Sequence, residues 1–140
     1  MELALTINEL TAYLAEIFPQ MRGEFEFENL RFNALRVRMK VAEHHLRPGG
    51  TVSGPSMFAL ADVAVYAMVL ARVGRQALAV TTNCSIDFMR KPAANSDLIA
   101  DCRLLKCGKV LAVGDVLIFP DGDAKPVARA SLTYSIPPAG

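Results

Sequence analysis

Asp62 is the one acidic residue in a long apolar stretch that also holds Met57, Phe58, Leu60, Ala61, Val63, Val65 and Met68. An ionisable group inside an apolar helix costs several kcal/mol unless it is paired or neutralised. Asp62 is therefore a candidate functional carboxylate, and the competing reading is a structural one in which a neighbouring loop hydrogen-bonds it. Eight residues earlier, Ser53-Gly54-Pro55 follows the paired Gly49 and Gly50. Backbone N–H groups at a helix start near Gly54 lie at the positive end of the helix dipole and could polarise a carbonyl, although Pro55 itself has no proton to donate. Thr81 or Thr82 on the segment that follows could position a water, while both are good strand formers in any case. Ser53 without a matched His–Asp pair reads as a helix cap before it reads as a nucleophile. His44 and His45 suggest an acid–base or metal pair. Adjacent residues at the end of a strand point to opposite sides and no carboxylate cluster accompanies them, so a loop or core role is expected.

These residues need a scaffold, and the hydrophobic periodicity supplies one. Thr6 followed by Glu9 is a capping-box pattern, and Ile7, Leu10, Leu14 and Ile17 recur at helical spacing up to a helix end near Pro19. Residues 24–28 alternate strictly. After a break at 29–33, Leu35, Val37, Met39 and Val41 alternate with polar neighbours, so two half-buried strands are expected. Residues 44–50 read as loop, and a helix of roughly five turns follows, with Ser53 as cap and Pro55 in its first turn. Beyond Gly74, Val80, Thr82, Cys84, Ile86 and Phe88 share one face of a strand that ends at Arg90-Lys91-Pro92. Three further strands centre on residues 98–104, 110–119 and 128–134, with turns at Gly108 and at residues 120–123. Hairpin-length connections among these last four imply an antiparallel sheet. A helix that is apolar nearly all round must be wrapped by that sheet or by a second subunit. The expected class is α+β: a curled antiparallel sheet around one long central helix, with a short N-terminal helix. Its open edge invites pairing with a second copy into a dimer.

Composition narrows the function. At 140 residues, 52% hydrophobic and formal charge +1, the chain suits a single domain spanning 1–140 with a substantial core. The near-neutral balance and the absence of a like-charge run argue against a nucleic-acid arm or a polybasic membrane anchor. Cys84, Cys102 and Cys107 are odd in number and form no CxxC pair, so neither a disulfide framework nor a zinc site is expected. The acidic N-terminus does not resemble an export signal, which points to the cytoplasm. The apolar stretch is short for a span and carries Asp62, so it reads as a core helix and no membrane association is expected.

In joint order and spacing, Gly50-Thr51-Val52-Ser53-Gly54-Pro55, Leu60-Ala61-Asp62, Phe88-Met89-Arg90-Lys91-Pro92-Ala93 and Gly108-Lys109 resemble the hotdog-fold acyl-CoA thioesterases of the phenylacetate-degradation type. The resemblance covers residues 35–134 and implies the hotdog fold and hydrolysis of a small, medium or aryl acyl-CoA thioester. It also implies a homodimer, with a dimer of dimers expected, and no metal or separate cofactor, coenzyme A being part of the substrate. It places Asp62 across a dimer interface from the partner's helix start, as general base or nucleophile. Two departures stand out: the family's His-Gly-Gly is Ser53-Gly54-Pro55 here, and an Asn six residues earlier in some members is Arg47. For the coenzyme, Arg47, Arg90, Lys91, Lys106 and Lys109 are the candidate phosphate partners. Met57, Phe58 and Phe88 would border an acyl tunnel. Two rival readings keep the fold. A hydratase or dehydratase would use His45 of His45-Leu46-Arg47-Pro48-Gly49 with Asp62, and a carrier or sensor would bind the thioester without turnover.

Overall fold

The computed structural model describes residues 2–138. Helix α1 spans Ile7–Ile17, strands β1 and β2 span Phe25–Arg31 and Ala34–Met39, and the central helix α2 spans Gly54–Val73. Strands β3 to β6 follow at Val80–Phe88, Leu98–Cys107, Leu111–Pro120 and Ala128–Ser135. Single 3-10 turns occur at Pro19–Met21 and Glu43–His45. All strand pairs are antiparallel, in the order β1-β2-β4-β5-β6-β3.

The sheet curls around α2, whose residues Leu60, Ala61, Ala64, Val65, Ala67, Met68, Leu70 and Ala71 are fully buried. Burying one side chain of leucine or methionine size contributes about 1.5–3 kcal/mol, so the apolar girdle read from the sequence is what fixes the helix inside the sheet. Small residues on the inner face, Ala100, Ala112, Gly114 and Ala128, let the strands approach it. At Gly114 an added Cβ would lie 3.2 Å from Val65 Cγ2 and 3.3 Å from its Cγ1. Helix α1 buries Leu10 and Leu14 and is fixed by the expected reciprocal box: Glu9 N–H donates to Thr6 Oγ1 at 3.2 Å and Thr6 N–H to Glu9 Oε1 at 3.0 Å. Just before it, the Ala4 N–H donates to the Ala71 carbonyl at 2.7 Å, which pins this segment to the last turns of α2.

The structure corrects three details of the sequence reading. Strand β1 continues to Arg31, so the expected break at 29–33 shrinks to a turn at Phe32-Asn33, with an irregular register near Asn29 at φ 48°. The β3–β4 connection is not a hairpin. β3 is an edge strand next to β6, while β4 lies between β2 and β5, so residues 89–97 must cross one end of the sheet. There the Val52 N–H donates to the Pro92 carbonyl at 2.9 Å and Thr51 bridges Ala93, which seats the crossing beside the start of α2. Finally, β3 carries a bulge between Thr81 and Asn83. A bulge inserts one residue and re-aims its neighbours, and as a result Thr81, not Thr82, faces inward with Cys84.

Candidate active site

The start of α2 is built by the loop ahead of it. Gly49 and Gly50 take φ of 100° and 80°, backbone that a side chain disfavours, and this turn brings Ser53 back under His45. The Ser53 N–H donates to the His45 carbonyl at 2.8 Å. Ser53 Oγ caps the helix by accepting the Ser56 N–H at 3.3 Å, and donates to Ser56 Oγ at 2.9 Å. Ser56 Oγ in turn donates to the His45 carbonyl at 3.2 Å. The Met57 N–H goes to the Ser53 carbonyl at 3.1 Å, and Pro55 has none. Among the described residues the Gly54 N–H is thus the one donor of the first turn without an acceptor, where the helix dipole favours partial negative charge. Gly54 packs on the ring of Phe88, for an added Cβ would lie 3.3 Å from its Cζ.

Asp62 is half-buried on the face of α2 turned to β3 and β6. Its Oδ1 accepts from Thr81 Oγ1 at 2.6 Å and from the Tyr134 hydroxyl at 2.6 Å. Oδ2 has no donor among the described residues. Among the described residues no buried side-chain oxygen is left unpartnered, so Oδ2 opens to solvent. The arrangement is a carboxylate with one oxygen occupied and one available to take a proton or attack carbon. Tyr134 is held well above the ordinary tyrosine range, first by burial and then by the Asp62 charge, and stays a donor. Thr82 takes no part, its hydroxyl donating to the Thr133 carbonyl at 3.3 Å.

Arg47, Gly54, Met57, Phe88, Arg90 and Lys91 border one cavity of about 370 Å³ at the start of α2. Five of the eight residues proposed for substrate thus share this cavity with Gly54, three of them cationic. Phe58 is not part of this lining; it lies on the surface, 38% exposed. Lys106 and Lys109 lie at the β4–β5 turn, at the other end of the sheet: from Leu98 to Lys106, β4 runs about 26 Å. Asp62 is also distant from the helix start of its own chain, since eight helical residues rise about 12 Å.

The two histidines converge where opposite directions were expected. The 3-10 turn at Glu43–His45 replaces the strand geometry on which that expectation rested, and both rings reach Glu24 Oε1, His44 Nε2 at 3.3 Å and His45 Nε2 at 2.5 Å. Burial acts against the Glu24 charge, but the His45 and His44 hydrogen bonds outweigh it and hold its pKa below the usual carboxylate value. These three residues are close enough to share an ion. His45 is nevertheless a poor ligand: Nδ1 accepts the Ala42 N–H at 2.8 Å, so Nε2 must carry the proton it gives to Glu24 and no lone pair is free. His45 is 3% exposed and holds the start of α2 through its carbonyl, which accepts from Ser53 and Ser56.

Tyr134 and Ser56 escaped the sequence reading. Tyr134 alternates as a core residue like Leu132, and only its hydroxyl, in register with Thr81, marks it as different. A family model described as "Thioesterase superfamily" matches residues 49–127. A crystal structure from Silicibacter sp. TM1040, provisionally described as a thioesterase, is similar at 61% identity and TM-score 0.92, over 99% of this chain and 96% of that one. The phenylacetic acid degradation protein PaaI from Thermus thermophilus, as an N33D mutant, is similar at 25% identity and TM-score 0.74, over 85% of this chain and 99% of that one. The zebra fish thioesterase superfamily member 2 shares the fold, at 21% identity and TM-score 0.83, over 95% and 99% of the two chains. Among curated proteins the sequence finds no match.

Proposed function

We propose, from the premise that this chain belongs to the thioesterase superfamily, that it hydrolyses acyl-CoA thioesters with Asp62 as the catalytic carboxylate. The observation that carries the reading is the Asp62 side chain itself, with Oδ1 held by Thr81 and Tyr134 and Oδ2 open. A water on Oδ2 gives its proton to the carboxylate as its oxygen attacks the acyl carbon. The carbonyl oxygen, becoming negative, is stabilised by the N–H of a helix start. Collapse breaks the C–S bond, and the leaving thiolate takes the proton back from Asp62, giving free acid and coenzyme A thiol.

The 12 Å between Asp62 and Gly54 of one chain is too far for both to act on one carbonyl. Gly54 sits at the Phe88 end of β3 and Asp62 at the Thr81 end. β3 is an edge strand whose Val80 and Phe88 are 55% and 50% exposed. Antiparallel pairing of β3 with its copy about a two-fold axis exchanges these ends. Asp62 of one chain is then beside the partner's helix start, and the active unit of this reading is a homodimer. Arg47, Arg90 and Lys91 supply charge for the coenzyme phosphates, and the cavity beside Met57 and Phe88 takes the acyl group.

A hydratase reading loses its base, because both His45 nitrogens are engaged at Glu24 and Ala42. The test is thiol release from a panel of short, medium and aryl acyl-CoAs. Turnover on at least one is expected, and no release from any member of the panel contradicts the proposal. Loss of enoyl-CoA absorbance without thiol release would select the hydratase instead, and thermal stabilisation by acyl-CoA without any turnover would select a carrier.

A further inference from the structure

Thr81 and Tyr134 face each other across the β3–β6 ladder, and their hydroxyls converge on one oxygen of Asp62, each at 2.6 Å. The bulge after Thr81 is what makes this convergence possible, since it turns the Thr81 side chain inward beside Tyr134. Tyr134 is fixed more firmly than an ordinary core tyrosine. It is 3% exposed, and its hydroxyl also reaches the Asp62 carbonyl at 3.2 Å. Its ring stacks on Tyr66, with centroids 5.8 Å apart and planes 26° apart. Tyr66 is anchored in turn by donating to the Ala77 carbonyl at 2.7 Å.

We infer that Tyr134 is a positioning residue for the proposed hydrolysis: with Thr81 it occupies Asp62 Oδ1, so that Oδ2 alone is presented to the reacting water. The inference rests on the hydrolase reading for its chemistry and on the hydroxyl clamp for its geometry. No Arg, Lys or His pairs with Asp62 among the described residues. Around it are Thr81 and Cys84 on β3 and Tyr134 on β6, with Tyr66 of α2 stacked on the Tyr134 ring. The Cys84 thiol is raised, first by burial and then by the Asp62 charge, so it is protonated and adds no charge. Two neutral hydroxyls therefore hold Oδ1, and no charged partner competes for the carboxylate. Removing the Tyr134 hydroxyl leaves Asp62 at its place in α2 but freer to turn about its side-chain bonds, so that either oxygen can meet the water.

The experiment separates positioning from binding. kcat and KM are measured on the best acyl-CoA of the panel for wild type, Tyr134→Phe, Thr81→Val and Thr81→Ser, and the Asp62 side chain is located in crystal structures of the same variants. The expected result is a kcat about tenfold lower in Tyr134→Phe and in Thr81→Val with KM little changed, Asp62 in more than one rotamer in both, and Thr81→Ser restoring the wild-type kcat and rotamer. A kcat within twofold of wild type in Tyr134→Phe overturns the inference, and so does an Asp62 side chain that stays in place there. If that variant does not fold, the same outcome in Thr81→Val overturns it. A wild type that turns over no acyl-CoA while both substitutions loosen Asp62 overturns the hydrolase reading and leaves the clamp standing.

Discussion

Gly54 meets two demands at once: it keeps the one unclaimed N–H of the first turn of α2, and it leaves room for the Phe88 ring at the floor of the cavity. In Gly54→Ala the added Cβ would press on Phe88 at 3.3–3.6 Å. Phe88 is half exposed at a strand end and can give way, so the unfolding free energy should change by less than about 1 kcal/mol. kcat/KM should fall about tenfold, because the carbonyl is displaced from its donor. Thermal melts and steady-state kinetics on the one variant separate the two effects. Much of this was legible in the sequence. Pro55 announces its own missing proton, Ser53 announces the cap, and Asp62 announces itself as a lone acid among apolar residues. Tyr134 was not legible, because a tyrosine on the inward face of a strand reads as core and its hydroxyl gains meaning only once β6 is seen next to β3.

At the scale of elements, α2 is held by two devices of different kinds. One is close packing. Gly114 on β5 lies under Val65, so Gly114→Ala overpacks the helix–sheet interface and should destabilise by about 1–3 kcal/mol, read as a lower urea midpoint at unchanged slope. The other is the Glu24–His45 anchor beneath the loop that starts the helix. The Glu24 pKa in the folded protein lies below its ordinary value of 4.5. Its contribution to stability is therefore fully present above pH 4.5 and is lost as pH falls through the folded value. Glu24→Gln should be less stable than wild type at pH 7 and should show a flatter fall on acidification below pH 4.5, as followed by urea midpoints across pH. The order of elements was readable from periodicity alone. The crossing of residues 89–97 was not, because a nine-residue connection reads as a long hairpin until the strand order shows β5 and β6 between its ends. The bulge in β3 was equally silent, since Thr81 and Thr82 are the same residue type and the pattern cannot tell which of them faces inward.

The whole molecule poses a problem of distance. The helix start and the carboxylate lie at opposite ends of β3, and in the proposed dimer a second copy paired along that edge would bring them together. If the site is shared in this way, mixing Asp62→Asn with Gly54→Pro, each inactive by itself, restores one intact site in every mixed dimer. Recovery of about a quarter of wild-type activity is expected after random exchange of subunits, and no recovery would place both groups in one chain. The edge was foreseeable from an open antiparallel sheet, and the family resemblance already set Asp62 opposite a partner's helix start; which strand forms that edge was not legible, because it depends on β3 lying next to β6. The central claim, that Asp62 performs the chemistry, has one direct measurement: kcat for Asp62→Asn against wild type on the best acyl-CoA, followed by free thiol release with the variant shown to be folded. The predicted result is a loss of kcat of at least about 100-fold with KM little changed. A variant that releases thiol within twofold of the wild-type rate would contradict it.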